Sequence, residues 1–343
     1  MATVVVVGGG VVGAATAYYL SERGQKVKLV EKCNVACHSS GKAGGFLALD
    51  WHGSGPGAAL AKRSFSLHEQ LAETFGEEKV GYRRMNCVGQ GSGLSKAWLA
   101  PGFGAPMGDT TTLAQVNGRK LTEALVGAAV SNGAEVVISK VVGLVDEGGL
   151  ITGVRLEDDQ VLSCNAVVLA MGAWTQDAAS WLPKAKLPGR TVAHKYSSVV
   201  WDSRGVCDNT AVFTGSRNET EIYPRSDEVY ACGCPTSAPL PDDPMEIEPS
   251  DAHVAAISAD VVKTIPGLKD VEIVRKTACF LPGSPDMEPV LGAIPTVSNG
   301  FIACGLTCWG ITNGPASGEA MADLVMGREP AIDLAAFSPS RFR

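Results

Sequence analysis

The sequence predicts an α/β chain in which a nucleotide-binding domain on a parallel sheet is interleaved with a second domain on an antiparallel sheet. Three observations carry this expectation. The chain opens with a strand, a glycine turn, a helix and a second strand. Later apolar strands and a closing helix return to the same sheet. Between them lies a run of alternating segments from Thr191 to Cys234.

The opening is the most informative stretch. Thr3–Val7 is β-branched and apolar, Gly8-Gly9-Gly10-Val11-Val12-Gly13 follows at once, Ala14 to Leu20 reads as helix, and Val27 to Val30 reads as a strand ending at Glu31. An acid roughly 20 residues beyond the glycines completes a Rossmann-like fingerprint. Gly8 makes the tight turn, Gly10 lets backbone approach a pyrophosphate, and Gly13 lets helix pack on strand. The anion then rests on the helix N-terminus, and Glu31 accepts hydrogen bonds from a ribose diol.

Composition bounds the rest. A chain of 343 residues suits two domains or one elaborated domain. With 45% hydrophobic and 19% charged residues it can bury a sizeable core. A net charge of -7 without a basic stripe argues against nucleic acid. The glycines within Val4 to Leu20 argue against a membrane span. With no charged leader ahead of the first strand, the chain is expected to be intracellular and cytoplasmic. The ten cysteines lack the spacing of a disulfide scaffold and are expected as buried thiols. Cys33, Cys37 and His38 are expected to pack rather than bind metal, because no second pair stands at a zinc-like spacing.

After Glu31 comes Cys37-His38-Ser39-Ser40-Gly41-Lys42-Ala43-Gly44-Gly45, a hydroxyl-rich segment able to wrap phosphate and ribitol with backbone amides. This departs from nicotinamide dehydrogenases, whose first half completes its sheet directly. Ala58 to Phe75 has helical spacing of apolar residues, and Tyr82 to Met107 reads as loop with short strands. Arg119 to Val130 reads as helix closed by Asn132-Gly133, and Ala134 to Ile138 as strand. Val141 to Val145, Ile151 to Leu156 and Gln160 to Leu162 suggest an antiparallel meander. It leads to the strand Ala166–Ala170 and the turn Met171-Gly172-Ala173-Trp174.

The alternating runs His194 to Trp201, Thr210 to Phe213, Glu221 to Tyr223 and Glu228 to Ala231 read as a separate sheet roofing the cofactor. Asp251 to Ile265 reads as helix and Val271 to Thr277 as strand. Gly300–Gly305 reads as a buried strand and Trp309–Thr312 as a turn. Asn313 to Met326 reads as a helix with Pro315 near its first turn, its N-terminal amides facing that turn. The expected boundaries are 1–80, 116–185 and 279–343 for the nucleotide domain, and 81–115 and 186–278 for the substrate domain.

Together these segments resemble the D-amino-acid-oxidase-type (DAO) family of FAD-dependent oxidoreductases, which includes glycine and sarcosine oxidases. The resemblance runs from Val4 to Phe342. It rests on Gly8 to Gly13 with Glu31, on Ser39 to Gly45, on Val167 to Trp174, and on Cys279 to Gly292 followed by Gly305 to Gly318. It implies a glutathione-reductase-type FAD domain, non-covalently held FAD, and oxidation of a small amine or amino-acid derivative by hydride transfer to flavin N5, giving an imine that hydrolyses. Oxygen or another acceptor reoxidises the flavin. The implied cofactor residues begin with Gly8, Gly10, Val11, Val12, Gly13, Glu31 and Lys32. They continue through Ser39, Ser40, Lys42, Ala43, Gly44 and Gly45 to Val142, Ala170, Gly172 and Trp174, and end with Gly305, Gly310, Ile311 and Thr312. Cys279 stands where sarcosine oxidase links its flavin, so a covalent bond there is the alternative.

Three departures stand out. Leu281 replaces the arginine that binds a substrate carboxylate, Ala231 stands opposite the oxygen-activating lysine of sarcosine oxidase, and Gly305-Leu306 replaces a Gly-His pair. Trp309, Tyr223, Arg225 and His52 are the candidate substrate-pocket residues, Arg225 being the substitute cation. The competing readings are an FAD-binding protein with a structural or regulatory role and no turnover, and an NAD(P)-dependent dehydrogenase.

Overall fold

Valine-rich strands set the centre of the molecule, for which the computed structural model describes residues 2–187, 192–203 and 205–342. Thr3–Val7 lies between Lys26–Glu31 and Ala166–Leu169, all parallel. Glu135–Ile138 adds beyond Lys26–Glu31, Gly300–Cys304 adds beyond Ala166–Leu169, and Val290–Ala293 closes that side as an antiparallel edge. The strands read as unbroken apolar runs because both faces are covered. Val4 and Val6 pack against the helices Val11–Glu22, Gly118–Ser131 and Gly310–Val325, while Val5 and Val7 pack against the meander of Val141–Asp146, Ile151–Leu156 and Val161–Ser163.

The second large sheet has seven strands in the order Ile273–Gly283, Val192–Asp202, Glu228–Ser237, Glu221–Pro224, Thr210–Phe213, Asn86–Gln90 and Phe103–Gly108. Thr191, the expected start of the alternating run, lies outside the described residues. Period-two alternation sorts the side chains. Val199, Ile222 and Ala231 pack under the helix Asp251–Thr264, whereas Val200, Tyr223 and Tyr230 face Phe46 and Trp309 on the other side. Ile273–Gly283 runs unbroken past residue 278, paired with Val192–Asp202, so the boundary expected there falls inside a strand. A small sheet joins Phe46–Ala48, Leu113–Gln115 and Arg83–Arg84.

The closing helix begins at Gly310, not Asn313, which leaves Pro315 in its interior. Proline has no N–H for the carbonyl four residues back, and the helix Gly57–Phe75 supplies the missing bonds. His68 Nε2 lies 2.9 Å from the Ile311 oxygen and 3.3 Å from that of Thr312, and Ala316 N–H donates to Ser64 Oγ at 3.1 Å. Among the described residues no helix is long and apolar enough to cross a membrane.

Candidate cofactor and substrate site

The glycine turn has a steric reason at each end. Gly8 has φ +110°, and a Cβ there would lie 2.3 Å from the Ala170 oxygen. A Cβ on Gly13 would lie 1.9 Å from the Gly8 oxygen. With no side chain between strand, turn and helix, the first turn of Val11–Glu22 opens onto a cleft. Its leading amides lack intrahelical acceptors. Val11 N–H donates to Ser40 Oγ at 2.9 Å. Glu31 stands at the end of its strand, with Oε2 accepting from Gly9 N–H at 2.6 Å and Oε1 from Cys33 N–H at 3.0 Å.

Most of the expected cofactor residues come together on this cleft. Gly8, Gly10, Val11, Val12, Glu31, Lys32, Ser39, Ser40 and Ala43 line it. Ala170, Gly172, Trp174, Gly305, Gly310 and Ile311 complete the lining. The one-turn helix Ser39–Lys42 fastens the cleft to the second sheet, with Ser39 Oγ donating to the Phe280 oxygen at 2.7 Å and Lys42 Nζ to that of Ala278 at 2.9 Å. His38, flanked by Trp174 at a ring distance of 4.8 Å, is held neutral by burial and then by Lys42, its pKa lowered to about 3.

Other expected residues serve as supports. Gly44 packs beneath the Tyr223 ring, Gly45 turns the chain against the Val116 carbonyl, and Thr312 Oγ1 donates to the Phe46 oxygen at 3.0 Å. Val142 is a correction. It points outward, 40% exposed, and its neighbour Val141 lines the cleft, because one residue along a strand reverses the face. Cys279 is buried, and burial outweighs the nearby Lys42 to push its thiol up to about 11, so it stays protonated.

The substrate candidates separate likewise. Trp309 and Tyr223 join Phe46, Trp51 and Phe213 in an aromatic cluster on the cleft side of the second sheet. The His52 ring lies 4.5 Å from that of Trp309, and burial lowers its pKa. Arg225, expected as a carboxylate anchor, is engaged elsewhere: it pairs with Glu228, donates to the Ala43 oxygen at 2.8 Å and stacks on Tyr230. Leu281 lines the cleft. Ala231 lies on the far face of its sheet, in the core under Asp251–Thr264, whereas Tyr230 and Cys232 face the cleft side.

Sequence reasoning missed four features. Cys308 and Lys140 line the cleft, Pro244 reaches it from the second sheet's exit loop, and Glu221 lies on the same strand face as Tyr223. Glu221 was readable from period two, standing two residues before a candidate tyrosine. Cys33 and Cys37, expected as free packed thiols, are joined by a disulfide. A four-residue separation lets the chain turn their side chains together beside Glu31.

The cleft fits a flavin dinucleotide. Its lining brings together an acid, Glu31, a glycine-flanked helix N-terminus suited to phosphates, and the N-terminus of Gly310–Val325, suited to a ring that takes up negative charge. Comparison with known proteins agrees. Residues 3–89 and 94–324 match the family described as FAD dependent oxidoreductase. The chain is 26% identical to the glycine oxidase of Pseudomonas putida across 98% of both chains, and 26% identical to a putative oxidoreductase of Schizosaccharomyces pombe across 94% of both. The crystal structure of glycine oxidase from Geobacillus kaustophilus superposes with a TM-score of 0.86, at 25% identity over 99% of each chain. The chain belongs to the DAO family of FAD-dependent oxidoreductases.

Proposed function

We propose that this chain oxidises the carbon–nitrogen bond of a small amine or amino-acid derivative to an imine, which water hydrolyses. The observation that carries the reading is a single cleft joining the glycine turn and Glu31 to the N-terminus of the closing helix, with the aromatic face of the second sheet beyond. FAD bound there supplies the acceptor for the hydride leaving the amine carbon.

The chain's own residues bind, orient and exclude water. Glu31 would receive the ribose hydroxyls, the amides of Gly10 to Val12 would receive the phosphates, and the first turn of Gly310–Val325 would offer its positive end to the ring. Trp309, Tyr223 and Phe46 wall the substrate side with apolar surface. The relatives' names, glycine oxidase and N-methyl-L-tryptophan oxidase, support an amine as substrate.

Purified protein should be yellow, with bands at about 370 and 450 nm, and an amine should bleach it without oxygen. A protein that takes up flavin but is bleached by no amine sinks the reading.

A further inference from the structure

Near the cleft-lining Cys308, one carboxylate organises the side chains. Glu221 and Tyr223 share a strand face, with Ile222 pointing the other way into the core under Asp251–Thr264. Tyr223 Oη donates to Glu221 Oε2 at 2.5 Å, and the Cys232 sulfur, paired across the sheet, lies 4.0 Å from the same oxygen. Tyr196 and the cleft-lining Cys308 also feel this charge. Burial first, and nearby negative charge including Glu221 next, hold their protons more tightly. Glu219 stands outside, accepting from Tyr196 Oη at 3.4 Å.

None of these neighbours is a cation. Among the described residues the nearby positive groups are engaged elsewhere: Arg225 with Glu228, Lys42 with the Ala278 oxygen, Arg83 with Gln115 Oε1 and the Pro224 oxygen. A carboxylate drawn out of water without a counter-ion is costly, and proteins pair such groups. Burial accordingly raises the Glu221 carboxyl above its ordinary range. Leu281, at the cleft wall, offers nothing to a substrate carboxylate. The rings of Phe46, Trp51, Phe213 and Tyr223 form a connected wall with centroids 5.0 to 6.0 Å apart, and aromatic faces attract cations.

We infer that the substrate chamber selects a small organic amine without a carboxylate, received as its ammonium by Glu221 beside the aromatic wall. This rests on the amine-oxidation reading and narrows it. The ammonium gives one N–H proton to the carboxylate, leaving a neutral amine and a neutral carboxyl, the state from which an amine is oxidised.

Two measurements on the FAD-loaded protein separate the claims. In calorimetric titration, benzyltrimethylammonium, which has no N–H and no lone pair, should bind, and Glu221→Gln should weaken it by about 30-fold; benzoate should not bind. Without oxygen, N-methylbenzylamine should bleach the flavin, while glycine and sarcosine should not. Failure of the quaternary cation to bind, preference for benzoate, or bleaching by sarcosine but not by N-methylbenzylamine overturns the cation site and leaves amine oxidation standing. Bleaching by neither amine class while the quaternary cation still binds overturns amine oxidation and leaves the cation site standing. Should Glu221→Gln lose its flavin, the wild-type contrast between cation and benzoate decides the matter alone.

Discussion

At the scale of single residues, Gly13 is among the most constrained positions in the chain. An added methyl would sit 1.9 Å from the Gly8 carbonyl oxygen, a backbone atom that cannot swing aside as a flexible side chain would. Either the helix lifts from the strand or the turn deforms, and overpacking of this kind costs about 1–3 kcal/mol. Gly13→Ala should lower the melting temperature and cut flavin content, read as the ratio of visible to ultraviolet absorbance, more than an alanine at the open Gly127 does. Equal flavin content in the two variants would mean that the turn tolerates the displacement. The glycines were legible in the sequence because each has a steric reason that a strand and helix on either side make readable. Val142 was not. Facing alternates at every residue of a strand, so a one-position error moves a side chain from the cleft to solvent.

At the scale of elements, helices with strong apolar periodicity were readable almost to their ends, as Gly57–Phe75 and Gly118–Ser131 show. The closing helix was misplaced by three residues because Pro315 reads locally as a start signal. Its tolerance in the interior depends on His68 and Ser64, some 250 residues away in sequence. No local pattern reports that pairing. His68 is 1% exposed, and burial lowers its pKa to about 4 despite the two carbonyls that favour its charged form. The unfolded chain therefore binds a proton near pH 6.5 that the folded chain refuses until about pH 4. The stability that this group contributes is full above about pH 6.5 and falls by roughly 1.4 kcal/mol per unit below it. His38, lowered to about 3, adds the same slope over a wider window. Thermal melts between pH 7 and 4 should show a shallower slope for His68→Ala than for the parent. They should also show a loss at pH 7 of about 1–3 kcal/mol from the orphaned Ile311 carbonyl. An unchanged slope would remove His68 from the account.

At the scale of the whole molecule, the cleft exists because stretches distant in the chain meet there: the glycine turn, the Ser39–Lys42 turn, the Ala170–Trp174 corner and the start of the closing helix. Their convergence was legible from the return of apolar strands to one sheet. The segment that crosses the cleft from the second sheet was not, since its Pro-rich, polar composition reads only as an exit loop. The Pro241 oxygen accepts from Trp174 Nε1 at 2.9 Å, Pro244 lines the cleft, and Asp242 pairs with Lys140 at 2.7 Å and Lys32 at 3.3 Å. Hydrogen bonding from Lys140 leads in holding the Asp242 carboxyl below its ordinary range. This segment thus straps the Glu31 end of the cleft, and flavin leaving by that end must loosen it. The Asp242 side chain is 74% exposed, so its pairs are screened by salt and contribute little to folding. Asp242→Ala should therefore leave the melting temperature of the flavin-free protein unchanged while speeding flavin release by about two- to fivefold at low salt. Raising the salt to about 0.5 M should speed release from the parent by a similar factor and leave the variant unmoved, because the charges that salt screens are already gone. Equal salt sensitivity in the two proteins would mean that flavin departs by a route the strap does not cross.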